Sequence, residues 1–213
     1  MCLLRLLLLP LSAAFLHAQE PAAPTPPPTD AKDPHHHQDA AAGIASAGRK
    51  MELVKGLTEA DFLRLGAEPK TVELIVVAVW NDENYGMNFN GYAKGNATYT
   101  IPKDWKVSVK YINPSPIPHS LLVVEKDSLK KIQMPEPYFK GAAVPDFLKG
   151  LAYDTATFTF VADEAGDYAL ACGFPAHALN GHWIALEISG TATAPTLKLG
   201  TGEPKPASPA KAK

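Results

Sequence analysis

Residues 166–188 read GDYALACGFPAHALNGHWIALEI, two alternating runs on either side of a loop rich in Gly, Pro and Asn. Alternation sets Tyr168, Leu170 and Cys172 on one face of the first run, and His182, Ile184, Leu186 and Ile188 on one face of the second. Both runs are therefore strands with one inward face. The same period of two recurs upstream in TVELIVVAVW (71–80), NATYTIP (96–102), KVSVKYI (106–112), SLLVVE (120–125) and TATFTFVA (155–162), all rich in Val, Ile, Thr and aromatics. MNFNGY (87–92) reads as a further strand. Roughly eight short strands without a convincing long helix predict an all-β fold, a Greek-key antiparallel β-sandwich.

Outside that body the reading changes. Thr58 is placed to cap a short N-terminal helix over EADFLRL (59–65), stopping at Gly66, with Leu57, Phe62 and Leu65 lying against the sandwich. Residues 49–70 form this helical lead-in, and 71–190 the main domain. Residues 130–150, with Pro135, Pro137 and Pro145, form an ordered excursion across one face. Residues 1–18 have a positive start at Arg5, an apolar run from Leu6 to Leu16 broken by Pro10, and Ala18 before Gln19, the pattern of a cleaved secretory signal. The apolar run is well short of the roughly 20 residues that span a bilayer. Residues 19–48 are a Pro/Ala/His-rich flexible linker, within which His35, His36 and His37 read as exposed polar residues with a secondary capacity to catch a metal. Residues 191–213, ending in PKPASPAKAK, form a low-complexity C-terminal tail.

The composition narrows the function. The 213 residues are 46% hydrophobic and 20% charged, with 20 Lys plus Arg against 22 Asp plus Glu, so neither a disordered polymer nor a basic nucleic-acid binder is expected. Loss of residues 1–18 removes Cys2 and leaves Cys172 as the single cysteine. No intramolecular disulfide can then form, and a lone thiol in an oxidising compartment needs burial or a metal to protect it.

The histidines supply the partner groups. Apart from His17 in the signal and the three in the linker, the chain owns only His119, His177 and His182, each near a strand end. His119 opens SLLVVE after NPSPIP; Cys172 closes GDYALAC; His177 follows five residues later and His182 ten residues later. A thiolate and three imidazoles meet at one pole if the strand starting at His119 lies beside the other two. A thiolate with two imidazoles and a weaker fourth group is the ligand set of electron-transfer copper. Zinc is the rival, although the chain has no CxxC pair. Thiol catalysis by Cys172 with His177 is a weaker reading, since Cys172 precedes Gly173 and Pro175 and does not start a helix.

CGFPAHALNGHW in this strand–loop–strand setting resembles the C-terminal ligand loop of the cupredoxins, and of the sulfocyanin group in particular. Cys172, Gly173, Pro175, His177, Ala178, Gly181 and Trp183 match that group's Cys-Gly-x-Pro-Gly-His-Ala-x-x-Gly-Met-Trp pattern. MNFNGY, PSPIPHS around His119, and FKGA followed by Pro145 extend the likeness over about residues 71–190. The resemblance implies a copper-binding electron carrier with His119, Cys172 and His177 as equatorial ligands. Two positions depart from it: Ala176 replaces a glycine, and His182 stands where the family has its axial methionine. Neutral imidazole is a better donor to Cu(II) than a thioether, so a His182-ligated site should have a lower reduction potential and be green, red or nearly colourless. Asn113 and Ser120 are candidate hydrogen-bonding groups near the thiolate, and Phe174, Pro175, Ala176, Ala178, Leu179, Ile117 and Pro118 a candidate apolar docking face around His177.

The expected function is a secreted or periplasmic, mononuclear copper protein, not an enzyme. It carries one electron at a time between redox partner proteins such as respiratory or other extracytoplasmic electron-transfer components. One copper ion per chain, a monomer, and no nucleic-acid partner are expected, with membrane association only through partners or an uncleaved signal. Small-molecule binding or redox catalysis at copper, and copper capture or delivery through His35, His36 and His37, are the alternatives. Residues 71–190 carry a net charge of −4, too mild to set the sign of a docking surface.

Overall fold

The computed structural model describes residues 48–211. The signal, nearly all of the linker with its three histidines, and the last two residues lie outside the described residues. Ten strands follow in chain order: β1 (Leu63–Leu65), β2 (Thr71–Val77), β3 (Ala97–Pro102), β4 (Lys106–Asn113), β5 (Leu122–Glu125), β6 (Asp154–Val161), β7 (Gly166–Ala171), β8 (Trp183–Ser189), β9 (Thr196–Leu199) and β10 (Lys205–Pro206). They form a four-stranded sheet in the order β1-β2-β4-β6 and a six-stranded sheet in the order β10-β9-β3-β8-β7-β5. The expected all-β sandwich is present, with one refinement. Each sheet is mixed, because β2 runs parallel to β4 and β3 parallel to β8, while every other pairing is antiparallel. A parallel neighbour cannot be reached by a hairpin, and the chain meets that constraint by crossing to the other sheet for β3 between β2 and β4.

Alternation decides what each strand buries. Val107, Val109 and Tyr111 of β4, Tyr168 and Leu170 of β7, and Ile184, Leu186 and Ile188 of β8 all enter one core between the sheets, together with Cys172. At about 25 cal/mol per Å2, each such side chain contributes roughly 1.5–3 kcal/mol.

Three local expectations give way to other structures. EADFLRL is not an α-helix: it makes a single 3-10 turn at Glu59–Asp61, with Thr58 N–H donating to the Asp61 carboxylate at 2.9 Å, and LRL then pairs with β2 as β1. Phe62 is fully buried beneath it, but Leu65 faces solvent. MNFNGY is a tight reversal: Asn90 and Gly91 have φ of 54° and 87°, and Phe89 and Tyr92 exchange backbone hydrogen bonds of 2.9 Å across it. The region 191–213 is not wholly a low-complexity tail. It supplies β9 and β10, and β9 pairs with β3 because Leu197 has a core position to fill.

The excursion after β5 contains a 3-10 turn at Lys126–Lys130 and then follows β5 back, through Tyr138 N to Val123 O, Val123 N to Ala142 O and Val144 N to Leu121 O at 2.8–2.9 Å.

Candidate metal centre

Sheet order brings the chemistry together. β5 lies beside β7 and β7 beside β8, so the segments before β5, after β7 and before β8 converge at one end of the six-stranded sheet. Cys172 directly follows β7, and its N–H donates to the carbonyl of His182 at 3.0 Å, closing the loop between them. Inside that loop His182 N–H donates to His177 O at 3.0 Å, and Ala176 takes a φ of 65°. The strand itself begins at Leu122, three residues beyond His119. His119 is held by a two-way backbone pairing with Leu151, at 3.0 and 2.8 Å. Gly150 makes that approach feasible, because a Cβ there would sit 2.9 Å from the His119 carbonyl oxygen.

One donor atom from each of His119, Cys172, His177 and His182 lies within 4.8 Å of every other. The Nδ1 atoms of His119 and His177 are 3.2 Å apart, and Cys172 Sγ is 3.5 Å from His177 Nδ1. His119, Cys172 and His182 are buried, whereas His177 keeps an exposed edge. Exposed Ile117, Pro175 and Leu179 lie in the neighbouring loops, but Ala178 of the anticipated apolar face is buried. A cavity of about 190 Å3 lined by Val79, Tyr85, Gly86, Met87, Ile117, His119 and His177 opens beside the cluster.

Burial sets the protonation. It lowers the pKa of His119 to about 3, helped by repulsion from His177, and lowers those of His177 and His182 as well. Burial also pushes the Cys172 thiol up to about 11, against hydrogen bonds that favour the thiolate. One is visible directly: Ser120 N–H points at Sγ across 3.4 Å. The Ser120 hydroxyl accepts from Gly173 N–H at 2.8 Å and lies 4.0 Å from the sulfur. Asn113 does not reach the sulfur. Its side-chain amide donates to Ile117 O and Leu151 O at 2.7 and 2.6 Å, bracing the loop before His119.

Two features show that a metal fits. His182 Nε2 lies 3.1 Å from the carbonyl of Asn88, which can only accept, so Nε2 carries the proton and Nδ1 holds a lone pair. That Nδ1 is buried without a hydrogen-bond partner. Buried polar atoms are rarely left so. Two imidazole nitrogens bound at about 2 Å to one tetrahedral or trigonal ion lie about 3.3 Å apart, close to the His119–His177 spacing. The group contains sulfur and nitrogen but no carboxylate, which suits borderline and soft ions over calcium or magnesium.

Sequence reasoning named all four clustered residues. It assigned no role to Asn88 or to Phe89, whose ring stacks obliquely on His182 with centroids 4.2 Å apart. The MNFNGY stretch was the available signal, but the group that touches His182 is a main-chain carbonyl, which no side-chain pattern specifies.

The chain is similar to several known proteins. The sulfocyanin of Sulfolobus acidocaldarius is 33% identical over 136 residues, covering 59% of this chain and 67% of that protein. Among solved structures, the copper protein rusticyanin covers 65% of this chain and 94% of its own, at 19% identity and a TM-score of 0.47. Auracyanin A, a blue copper protein of Chloroflexus aurantiacus, covers 56% and 99% at 16% identity and a TM-score of 0.41. The sulfocyanin (SoxE) domain model matches residues 58–136 and 149–198 and skips only part of the excursion after β5. The chain belongs to the sulfocyanin (SoxE) domain family.

Proposed function

We propose that this protein is an extracytoplasmic one-electron carrier that holds a single copper ion through His119, Cys172, His177 and His182. The observation that carries the reading is the convergence of one thiol and three neutral imidazoles at the end of a rigid sheet, with a single ligand edge left open at His177. Copper bound there supplies the Cu(II)/Cu(I) couple. A sulfur and two imidazoles with a further donor would suit electron-transfer copper, and the sulfocyanin family match supports copper over zinc.

The chain's own contribution is positional. Cys172 loses its proton to become a ligand, and the Ser120 N–H stabilises the resulting charge on sulfur. His119 is fixed by Leu151, His177 and His182 by the turns of their shared loop, so little ligand movement is needed when the charge on the ion changes. His182, at the position where the sulfocyanin pattern has methionine, would be the stronger donor and would favour the cupric state. The exposed rim of His177, with Ile117 and Leu179 nearby, is where a redox partner protein approaches. Secretion is supported by the pattern of residues 1–18, and a carrier role by the sulfocyanin family match and the four-donor cluster.

The test is the electronic and paramagnetic resonance spectrum of the copper-loaded protein. A green, red or weakly coloured site with a His182 nitrogen coupling is expected. An intense blue band with narrow hyperfine splitting removes His182 from the ligand set. Azide should leave the spectrum unchanged, and His182→Met should turn the site blue and raise its potential.

A further inference from the structure

The loop MNFNGY carries side chains that the copper reading does not use, yet its Asn88 and Phe89 are completely buried against His182. We propose that Asn88 is the positioning residue of His182: its main-chain carbonyl takes the Nε2 proton and thereby makes Nδ1 the only nitrogen that His182 can offer to the cluster. For its effect on copper the proposal rests on His182 being the fourth ligand. The orientation itself is a property of the protein chain.

The carbonyl is held unusually firmly. It accepts from His182 Nε2 and from Val79 N–H, both at 3.1 Å. The Asn88 side chain fixes the residue on both sides: its oxygen accepts from Trp80 N–H and Gly91 N–H at 3.2 Å, and its amide donates to Asn81 O and Glu83 O at 2.9 and 2.8 Å. Asn88 N–H donates to Gly86 O at 2.9 Å. Every polar group of the residue is thus engaged. An alanine would leave two N–H donors and two carbonyls without these bonds, and the carbonyl would lose its bracing.

A second observation points the same way. Val79, which gives the companion hydrogen bond to this carbonyl, has a φ of 52°, a conformation that a β-branched residue adopts only under constraint. Strain of this kind persists where surrounding contacts over-determine it, and such places gather at functional sites. Here it lies beside the group that orients His182. Phe89 closes the other side, its ring inclined 37° to the imidazole, which blocks the ring flip that would exchange Nδ1 for carbon. A hydrogen bond on the far nitrogen of a ligating histidine fixes tautomer and basicity together.

The experiment reads the tautomer of His182 by long-range proton–nitrogen correlation on the full-length chain, metal-free and loaded with Cu(I). A single tautomer protonated at Nε2 is expected in the metal-free protein. Asn88→Ala should lose it, giving averaged nitrogen shifts, and copper affinity should fall about 10-fold or more. Asn90→Ala is the control. It removes bonds from the same turn to Val77 N, Ile75 O and Tyr99 Oη without touching the Asn88 carbonyl, and should leave the tautomer pure even where stability drops. If Asn88→Ala does not fold, Asn88→Ser takes its place. An Nδ1-protonated His182 in the unmodified protein, or an unaltered single tautomer in the Asn88 variant, overturns the proposal. The expected tautomer pattern without nitrogen coupling from His182 in the cupric protein leaves Asn88 as the positioning residue and removes only the fourth ligand.

Discussion

His119 and His177 present their Nδ1 nitrogens to each other at 3.2 Å, and burial keeps both rings uncharged at neutral pH. A pair of neutral imidazoles in that geometry shares one proton, which moves to an outer nitrogen when an ion enters. No proton need leave the protein from either ring.

Copper binding should therefore release one proton near pH 7, from Cys172, whose thiol titrates at about 11 in the metal-free chain. Below that pH, and above the point where the imidazoles protonate, apparent affinity should rise about tenfold per pH unit. Calorimetry in buffers of different ionisation enthalpy counts the protons. A count of zero or of two contradicts this protonation scheme.

Acid should unfold the metal-free protein early. His119 has a folded pKa of about 3, below the roughly 6.5 of an unfolded histidine, so the unfolded chain binds the extra proton. The stability is complete above the unfolded value and is lost as pH falls from there towards the folded one, about 2.5 kcal/mol for His119 by pH 4.5. His177 and His182 shift in the same direction and add to the loss. Denaturant midpoints between pH 7 and 4.5 measure it, and His119→Asn should flatten the slope.

Ala176 occupies the left-handed region at a φ of 65°. That costs a residue with a Cβ about 1–2 kcal/mol, and glycine returns about 0.4–1 kcal/mol of it through the freer unfolded chain. Ala176→Gly should raise stability by about 0.5–1 kcal/mol, seen in the thermal midpoint, with the copper spectrum unmoved.

Tyr111 points a hydroxyl into the core beside Cys172, and that oxygen has no hydrogen-bond partner. Leaving such a group unpaired costs about 1–3 kcal/mol. Tyr111→Phe should therefore keep or increase stability by up to about 2 kcal/mol in denaturant titration. A loss of that size would mean that the hydroxyl makes a bond the geometry does not show.

The ligand loop was legible because three donors fall within residues 172–182, flanked by two period-two runs, and His119 because so few histidines remain for the body of the chain. Other parts were hidden for physical reasons. LRL after a capping signal reads as helix, but the pairing with β2 outweighs its weak local preference. TLKL sits among prolines and finds its longer pairing with β3, nearly a hundred residues away. The parallel pairings depend on how strands are distributed between sheets, which alternation within a strand cannot report.

The borders of the two sheets are unequally defended. β10 is two residues long and ends on Pro206, which has no N–H to donate. β5 is covered by the returning excursion, and Leu65 of β1 donates its N–H to Ser208 O. Of the outer strands only β6 is long among the described residues, with Thr155, Thr157, Thr159 and Val161 alternating along it and no lysine of its own, although Lys110 and Lys106 of β4 stand opposite Thr157 and Val161. At high concentration, self-association of this fold is expected to begin at that strand, which belongs to the four-stranded sheet and not to the one whose end gathers the metal ligands.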